Sequence, residues 1–240
     1  MRCYLRPQNI KAISFDLDDT LYDNYPHILR AEEQLIQFLH QQYPLTQNWH
    51  FHDWRILKLQ LLKQHPELAH DTSAARVATL EKGLAELGYS DAEAKLGAQA
   101  GLDCFYYHRS DFKVSNEVLK LLSELAKYYR LIGITNGNVD AKRIGLSDSF
   151  EFVLHPGNGV RMKPAKDMFD LACERLNIEH KQLLHVGDSM NADVKGARLA
   201  GCQSVWLNPS FGRVETIPIT AILPHVEITA LHGLAHLLLP

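Results

Sequence analysis

The sequence predicts an α/β protein, a Rossmann-like parallel sheet core carrying an inserted all-helical module. Short β-prone runs recur, and each stops at a polar cluster. Amphipathic helical stripes separate them, and one long stretch, residues 22–108, has the stripes without the strands. Strands that alternate with helices pair in parallel, which gathers their carboxyl ends on one edge of the sheet.

The first run, Ile10, Ala12, Ile13 and Phe15, breaks off at Asp16-Leu17-Asp18-Asp19-Thr20, as a buried strand ends at a polar rim. The helical module follows, with stripes at Leu35, Ile36, Phe38 and Leu39 and at Val77, Leu80, Leu84 and Leu87. The expected division is residues 1–21 and 109–240 for the core and 22–108 for the insert, with hinges at Tyr22–Asn24 and near Arg109. Inserted just after the first strand, the helices would stand over its carboxyl end, where open α/β sheets bind ligands. Beyond it, Val114, Val118, Leu121, Leu122 and Leu125 form one helical stripe, and Leu131–Ile134 is a strand ending before Thr135. Phe152–Leu154 is the next strand. Pro164 fits the first turn of a helix running through Met168, Phe169, Leu171, Ala172 and Leu176. Leu183–Val186 is a strand ending before Gly187-Asp188, and a helix over about residues 191–200 stops at Gly201, a good C′ residue. Ser204–Leu207 is a further strand.

Composition narrows the function classes. Hydrophobic residues make up 46% and charged residues 22%, ordinary globular usage. Lys plus Arg total 25 against 28 Asp plus Glu, and a net charge of -3 gives no general field for nucleic acid, so any anion site is local. Cys3, Cys104, Cys173 and Cys202 are scattered with no C-x-x-C pair, which reads as reduced thiols and a cytoplasmic setting. The apolar stretch after Arg2, Arg6 and Lys11 is too short for a signal sequence. The tail from Leu231 to Leu239 falls far short of the roughly 20 residues that span a bilayer.

If the strands are parallel, four separated elements converge: Asp16 with Asp18, Thr135, Lys163, and Asp188 with Asp193, and the Asn136 N–H after Thr135 is a further candidate to cradle phosphate. So many carboxylates repel one another unless a cation compensates, Lys163 alone is too little charge, and hard oxygen ligands select magnesium. Taken singly, Lys163-Pro164 ordinarily opens a helix and Thr135-Asn136-Gly137 is ordinarily a turn. Their order along the chain is what points to a site.

That order, Asp16-Leu17-Asp18-Asp19-Thr20-Leu21, then Thr135-Asn136-Gly137, Lys163-Pro164 and Gly187-Asp188 with Asp193, resembles the four motifs of the haloacid dehalogenase superfamily. The helical insert matches that superfamily's C1-type cap. The resemblance implies a magnesium-dependent phosphatase in which Asp16 attacks phosphorus and Asp18 protonates the leaving alkoxide and then activates water. It also implies that Thr135, Asn136 and Lys163 bind the phosphoryl oxygens and that Asp16, Asp18 and Asp188 hold the metal. Asp193 would hold metal-bound water or orient Lys163. Phe15-Asp16 to Asn24, Thr135 to Asn138, Phe150 to Leu154 and Leu183 to Asp188 further resemble bacterial phosphatases of flavin metabolism. The implied substrate is 5-amino-6-(5-phospho-D-ribitylamino)uracil, with FMN and sugar phosphates as secondary substrates.

Other residues receive plainer readings. His50 and His52 lack a partner motif for metal and read as surface with packed aromatics, and His232 and His236 share a helix face without the Glu of a zinc motif. Asn24, Asn138 and Arg161 lie near catalytic positions and are candidates to touch substrate. The alternatives are carbon–halogen hydrolysis, which has no need of Asp18, a receiver domain, which leaves the insert unexplained, and a binding protein without turnover. Within the phosphatases, a nucleoside monophosphate or a sugar phosphate is the alternative substrate.

Overall fold

A computed structural model describes residues 1–216 and 222–240. The chain divides into two compact units, one of Met1–Asn24, Lys113–Gly137 and Ala141–Pro240, the other of Tyr25–Phe112 with Asn138–Asp140. Residues 138–140 belong to the helical unit because Asn138 Nδ2 reaches Ser73 Oγ at 3.3 Å and the Asp140 N–H donates to Ser110 Oγ at 2.9 Å.

The helical unit holds α1 (Tyr25–Gln42), α2 (Phe51–Gln64), α3 (Thr72–Glu86) and α4 (Asp91–Arg109). Its stripes pack as the periodicity predicts: Leu35 and Leu39 of α1 meet Leu80 and Leu84 of α3 in one buried cluster. Side chains stop the ends. Asp71 accepts from Ser73 and Ala74 N–H at the start of α3, and Ser90 with Glu93 forms a reciprocal capping box on α4. Gly83 has to be bare, since a Cβ there would lie 2.3 Å from the Trp54 ring.

Among the described residues, the other unit's sheet comprises β1 (Arg2–Cys3), β2 (Ala12–Phe15), β3 (Arg130–Ile134), β4 (Val153–Leu154), β5 (Leu183–Gly187), β6 (Gln203–Leu207) and β7 (Val226–Ile228). Their spatial order is β1-β7-β6-β5-β2-β3-β4, parallel throughout except for the antiparallel β1–β7 pair. Every residue of β2, β5 and β6 is buried, so these strands read as largely apolar runs rather than alternating ones. The flanking helices are α5 (Asn116–Ala126), α6 (Asp167–Leu176), α7 (Gly196–Leu199) and α8 (Gly233–Leu238). Leu122 and Leu125 of α5 are fully buried, each contributing about 2 kcal/mol of apolar burial. No helix among the described residues is long and apolar enough to cross a membrane.

Three local expectations need correction. Pro164 does not open a helix, and α6 starts at Asp167. The Asn136 side chain explains the delay, because its Oδ1 accepts the Lys163 N–H at 2.8 Å and its Nδ2 donates to the Lys163 carbonyl at 2.9 Å. With both of its backbone polar groups taken by another loop, Lys163 has none for a helical ladder. The helix expected over 191–200 is a π-helical turn, Met190–Lys195, running into the short α7, with Gly201 at φ +82° beyond its end. Val114 precedes α5, and Ser115 caps that helix by accepting from Val118 N–H.

Candidate active site

The sheet register assembles the site. Phe15 lies opposite Val186 on one side and Gly133 on the other, so Asp16, the next residue, is level with Gly187 and Ile134. Its N–H donates to the Val186 carbonyl at 2.8 Å, extending the ladder by one rung. Thr135 and Asp188 follow one residue further along their strands. The chain runs from β2 to β3 and β4 on one side and returns to β5 and β6 on the other, making β2 a topological switch point.

Lys163 is the hub. Its side chain is 0% exposed, and Nζ lies 2.7 Å from Asp16 Oδ1, 2.7 Å from Asp193 Oδ1 and 2.5 Å from the Ile134 carbonyl oxygen. Burial opposes its charge, and the two carboxylates override that and raise its pKa. Lys163, helped by a hydrogen bond from His185, holds Asp193 well below the usual carboxylate range against burial. Asp16 goes the other way, because burial together with the charges of Asp193, Asp188 and Asp18 outweighs Lys163 and raises its pKa well above normal. Asp188 is pushed up to about 7 by burial and then by Asp193 and Asp19.

The neighbouring groups are held as tightly. Asp18 Oδ1 accepts from the Tyr22 hydroxyl at 2.5 Å. Thr135 is fully buried, and its Oγ1 accepts the Gly137 N–H at 3.0 Å, which leaves the hydroxyl hydrogen to donate elsewhere. Asp188 Oδ1 accepts from Thr20 Oγ1 at 3.1 Å, and its carbonyl accepts from Trp206 Nε1 at 2.7 Å. Gly137 is required where it stands, since a Cβ would fall 2.2 Å from Asp18 Oδ2. Gly137→Ala is therefore expected to displace the Asp18 carboxylate and lower kcat by about 10²-fold with little change in melting temperature, as misplacements of about 1 Å do. Steady-state kinetics beside a thermal melt checks this.

Lys163 is shared between Asp16 and Asp193, and with Asp188 beside them the three carboxylates outnumber that one ammonium. Asp16, Asp188 and Asp193 bring carboxylate oxygens within 4.8 Å of one another. A hard divalent cation fits this all-oxygen donor set on the Asp16–Asp188 side, while Asp193 is spent on Lys163 and His185.

The remaining candidates lie elsewhere or are committed. The Asn136 amide is spent on Lys163, and any contact with a ligand falls to its backbone N–H. Arg161 pairs with Asp167 at 2.7 Å through its guanidinium and also donates its N–H, holding that carboxyl at about 2. The Asn24 N–H donates to Asp19 Oδ1 at 2.9 Å, and Asn138 belongs to the helical unit. His50 precedes α2 and donates its N–H to Asp53 at 2.8 Å. His232 precedes α8, which carries His236.

Sequence reasoning passes over Ser14, Ser189, Trp206, the Tyr22 hydroxyl and His185. The readable trace of two of them is a polar residue inside an otherwise apolar strand, His185 in Leu183–Gly187 and Ser14 in Ala12–Phe15, paired in register. His185 and His225 are kept neutral, each pushed down to about 4 by burial and then by a nearby cation, Lys163 and Arg198 respectively. The unfolded chain takes up these protons near pH 6.5. From about pH 6.5 down to 4 these two groups thus bind more protons in the unfolded state, and their contribution to stability falls as pH falls. Between about pH 6.5 and 4 the His225→Gln variant is therefore expected to lose less melting temperature, or gain more, than the parent, as parallel thermal melts would show.

A family model described as haloacid dehalogenase-like hydrolase matches residues 10–201. The 5-amino-6-(5-phospho-D-ribitylamino)uracil phosphatase YigB of Escherichia coli (strain K12) is 39% identical over 238 residues, 99% of this chain and 100% of the relative. The N-acylneuraminate-9-phosphatase of Rattus norvegicus is 26% identical, covering 95% and 94%. Among solved structures, a protein described as a 2-haloacid dehalogenase from Pseudomonas syringae pv. Tomato DC3000 superposes with a TM-score of 0.87 at 34% identity, covering 95% of this chain and 98% of that one. The chain belongs to the haloacid dehalogenase-like hydrolases and is a phosphoric monoester hydrolase among them.

Proposed function

We propose that the chain hydrolyses 5-amino-6-(5-phospho-D-ribitylamino)uracil, and FMN more slowly, through a phosphoryl group carried on Asp16 with magnesium as cofactor. The observation that carries the chemistry is the buried Lys163 ammonium at 2.7 Å from both Asp16 and Asp193, with Asp18 two residues on and Asp188 across the strand pair. Asp16 attacks phosphorus in line, and the bond to the ester oxygen breaks while Asp18 gives that oxygen a proton. Lys163 and the Thr135 hydroxyl stabilise charge on the equatorial oxygens. Asp18 then takes a proton from water, whose oxygen attacks phosphorus and returns Asp16 as a free carboxylate. The Tyr22 hydroxyl on Oδ1 fixes Asp18 for both transfers. Magnesium, held by Asp16, Asp188 and the backbone oxygen of Asp18, would supply neutralising charge to the transferring phosphoryl group.

The substrate assignment draws on the full-length identity to YigB. Because the core groups are all devoted to the phosphoryl group, we assign substrate choice to the helical unit, in the role of a cap. The free cysteines, Cys3, Cys104, Cys173 and Cys202, suit a cytoplasmic enzyme. A carbon–halogen hydrolase, the reading suggested by the Pseudomonas protein's description, leaves the clamped Asp18 without a task. Rates on a panel of metabolite phosphates and 2-chloropropionate, with magnesium and with EDTA, test all of this. The highest kcat/KM is expected on the ribitylaminouracil phosphate, with loss of turnover in EDTA. A clear preference for a nucleoside monophosphate would overturn the substrate, and halide release without phosphate release would overturn the reaction.

A further inference from the structure

His185 is fully buried in the middle of β5, level with Ser14 of β2. Ser14 Oγ lies 2.8 Å from its Nδ1, and Asp193 Oδ1 lies 3.1 Å from its Nε2. An ionised carboxylate only accepts, so Nε2 carries the hydrogen and Nδ1 accepts the serine hydroxyl. The Phe169 ring meets the imidazole edge-on at 5.1 Å between centroids and fixes its plane. The Asp193 oxygen that receives Nε2–H is also the one 2.7 Å from Lys163 Nζ, while Oδ2 accepts the Ser189 N–H at 2.9 Å. Gly187 lacks the Cβ that would fall 2.2 Å from the Asp193 carboxyl carbon. Ser14, His185, Asp193, Lys163 and Asp16 thus form one connected set of contacts, in which His185 Nε2 also lies 3.4 Å from Lys163 Nζ. A histidine with a purely packing role would have no reason to share the oxygen that seats the lysine.

We infer that His185 is a positioning residue for phosphoryl transfer: supported by Ser14, it sets the Asp193 carboxylate that holds the Lys163 ammonium beside Asp16. Its contacts in the site are with Asp193 and Lys163, not with Asp16 or Asp188. Its removal should therefore slow the chemical step without weakening substrate binding. The inference rests on the reading that Asp16 carries the phosphoryl group.

The test is steady-state kinetics on p-nitrophenyl phosphate with magnesium for the parent, His185→Leu, His185→Gln, Ser14→Ala and the Ser14→Ala/His185→Leu pair, each with a thermal melt. His185→Leu is expected to lower kcat by about 10–100-fold with KM within about threefold, and His185→Gln, which keeps an N–H donor, to recover most of kcat. Ser14→Ala should cost severalfold alone and nothing further in the His185→Leu background, because contacting residues couple. A folded His185→Leu enzyme with kcat within about twofold of the parent overturns the inference, as does additivity in the double variant. If His185→Leu does not fold, His185→Gln and Ser14→Ala decide it: parental kcat for Ser14→Ala overturns it, and a severalfold loss of kcat at constant KM supports it. A parent that turns over while Asp16→Asn does so equally well overturns the underlying reading instead.

Discussion

Asp16→Asn is expected to abolish phosphate release, by roughly 10⁴-fold or more, and to leave the melting temperature unchanged or higher. Both effects follow from one placement. Asp16 is 7% exposed and its pKa is raised by burial and by neighbouring carboxylates, so holding it ionised at neutral pH costs the fold free energy. A group with a raised folded-state pKa stabilises the fold more as pH falls, and the neutral amide removes the penalty at every pH. Lys163 keeps Asp193 as its partner, so the variant strands no buried cation. Retention of even a hundredth of parental kcat would defeat the nucleophile assignment.

Lys163→Met is expected to damage both properties. Loss of the ammonium from the equatorial oxygens should lower kcat by about 10³-fold. Breaking a buried ion pair from one side should cost about 3–5 kcal/mol, because Asp16 and Asp193 stay in place at 10% and 3% side-chain exposure without the ammonium between them. Asp193, now held low by Lys163, would rise, and a carboxyl raised in the folded state loses stability as pH rises through its folded-state value. The deficit in melting temperature should accordingly be larger at pH 8 than at pH 5.5, and magnesium should restore part of it. An equal deficit at the two pH values would sink the account of Lys163 as charge balance, and a kcat within tenfold of parental would sink its role in transfer.

The interior strands are legible because strands buried on both faces give largely apolar runs, so a polar residue at the end of one stands out, as Asp16, Thr135 and Asp188 do. The same double burial hid Ser14 and His185. Strands of four or five residues with no exposed face show no alternation from which to tell which side a polar residue points. β1 and β7, two and three residues long, carry too little pattern to register. Pro164 misled because its local preference for a helix start yields to Asn136, 27 residues away, and no local signal announces that hydrogen bond. The Trp206 clamp on the Asp188 carbonyl was invisible for a similar reason, since in the sequence an indole at a strand end is only a large apolar residue.

The spatial order β1-β7-β6-β5-β2-β3-β4 also settles which parts of the core unit can be disturbed at little cost. Asp16, Thr135 and Asp188 extend from β2, β3 and β5, and Lys163 comes from the segment after β4, while the opposite margin, β1 with β7, is made of short strands and holds none of them. Fraying there, or an affinity tag joined ahead of Met1, spends its effect on strands of two or three residues and leaves the chemistry on the most protected rungs.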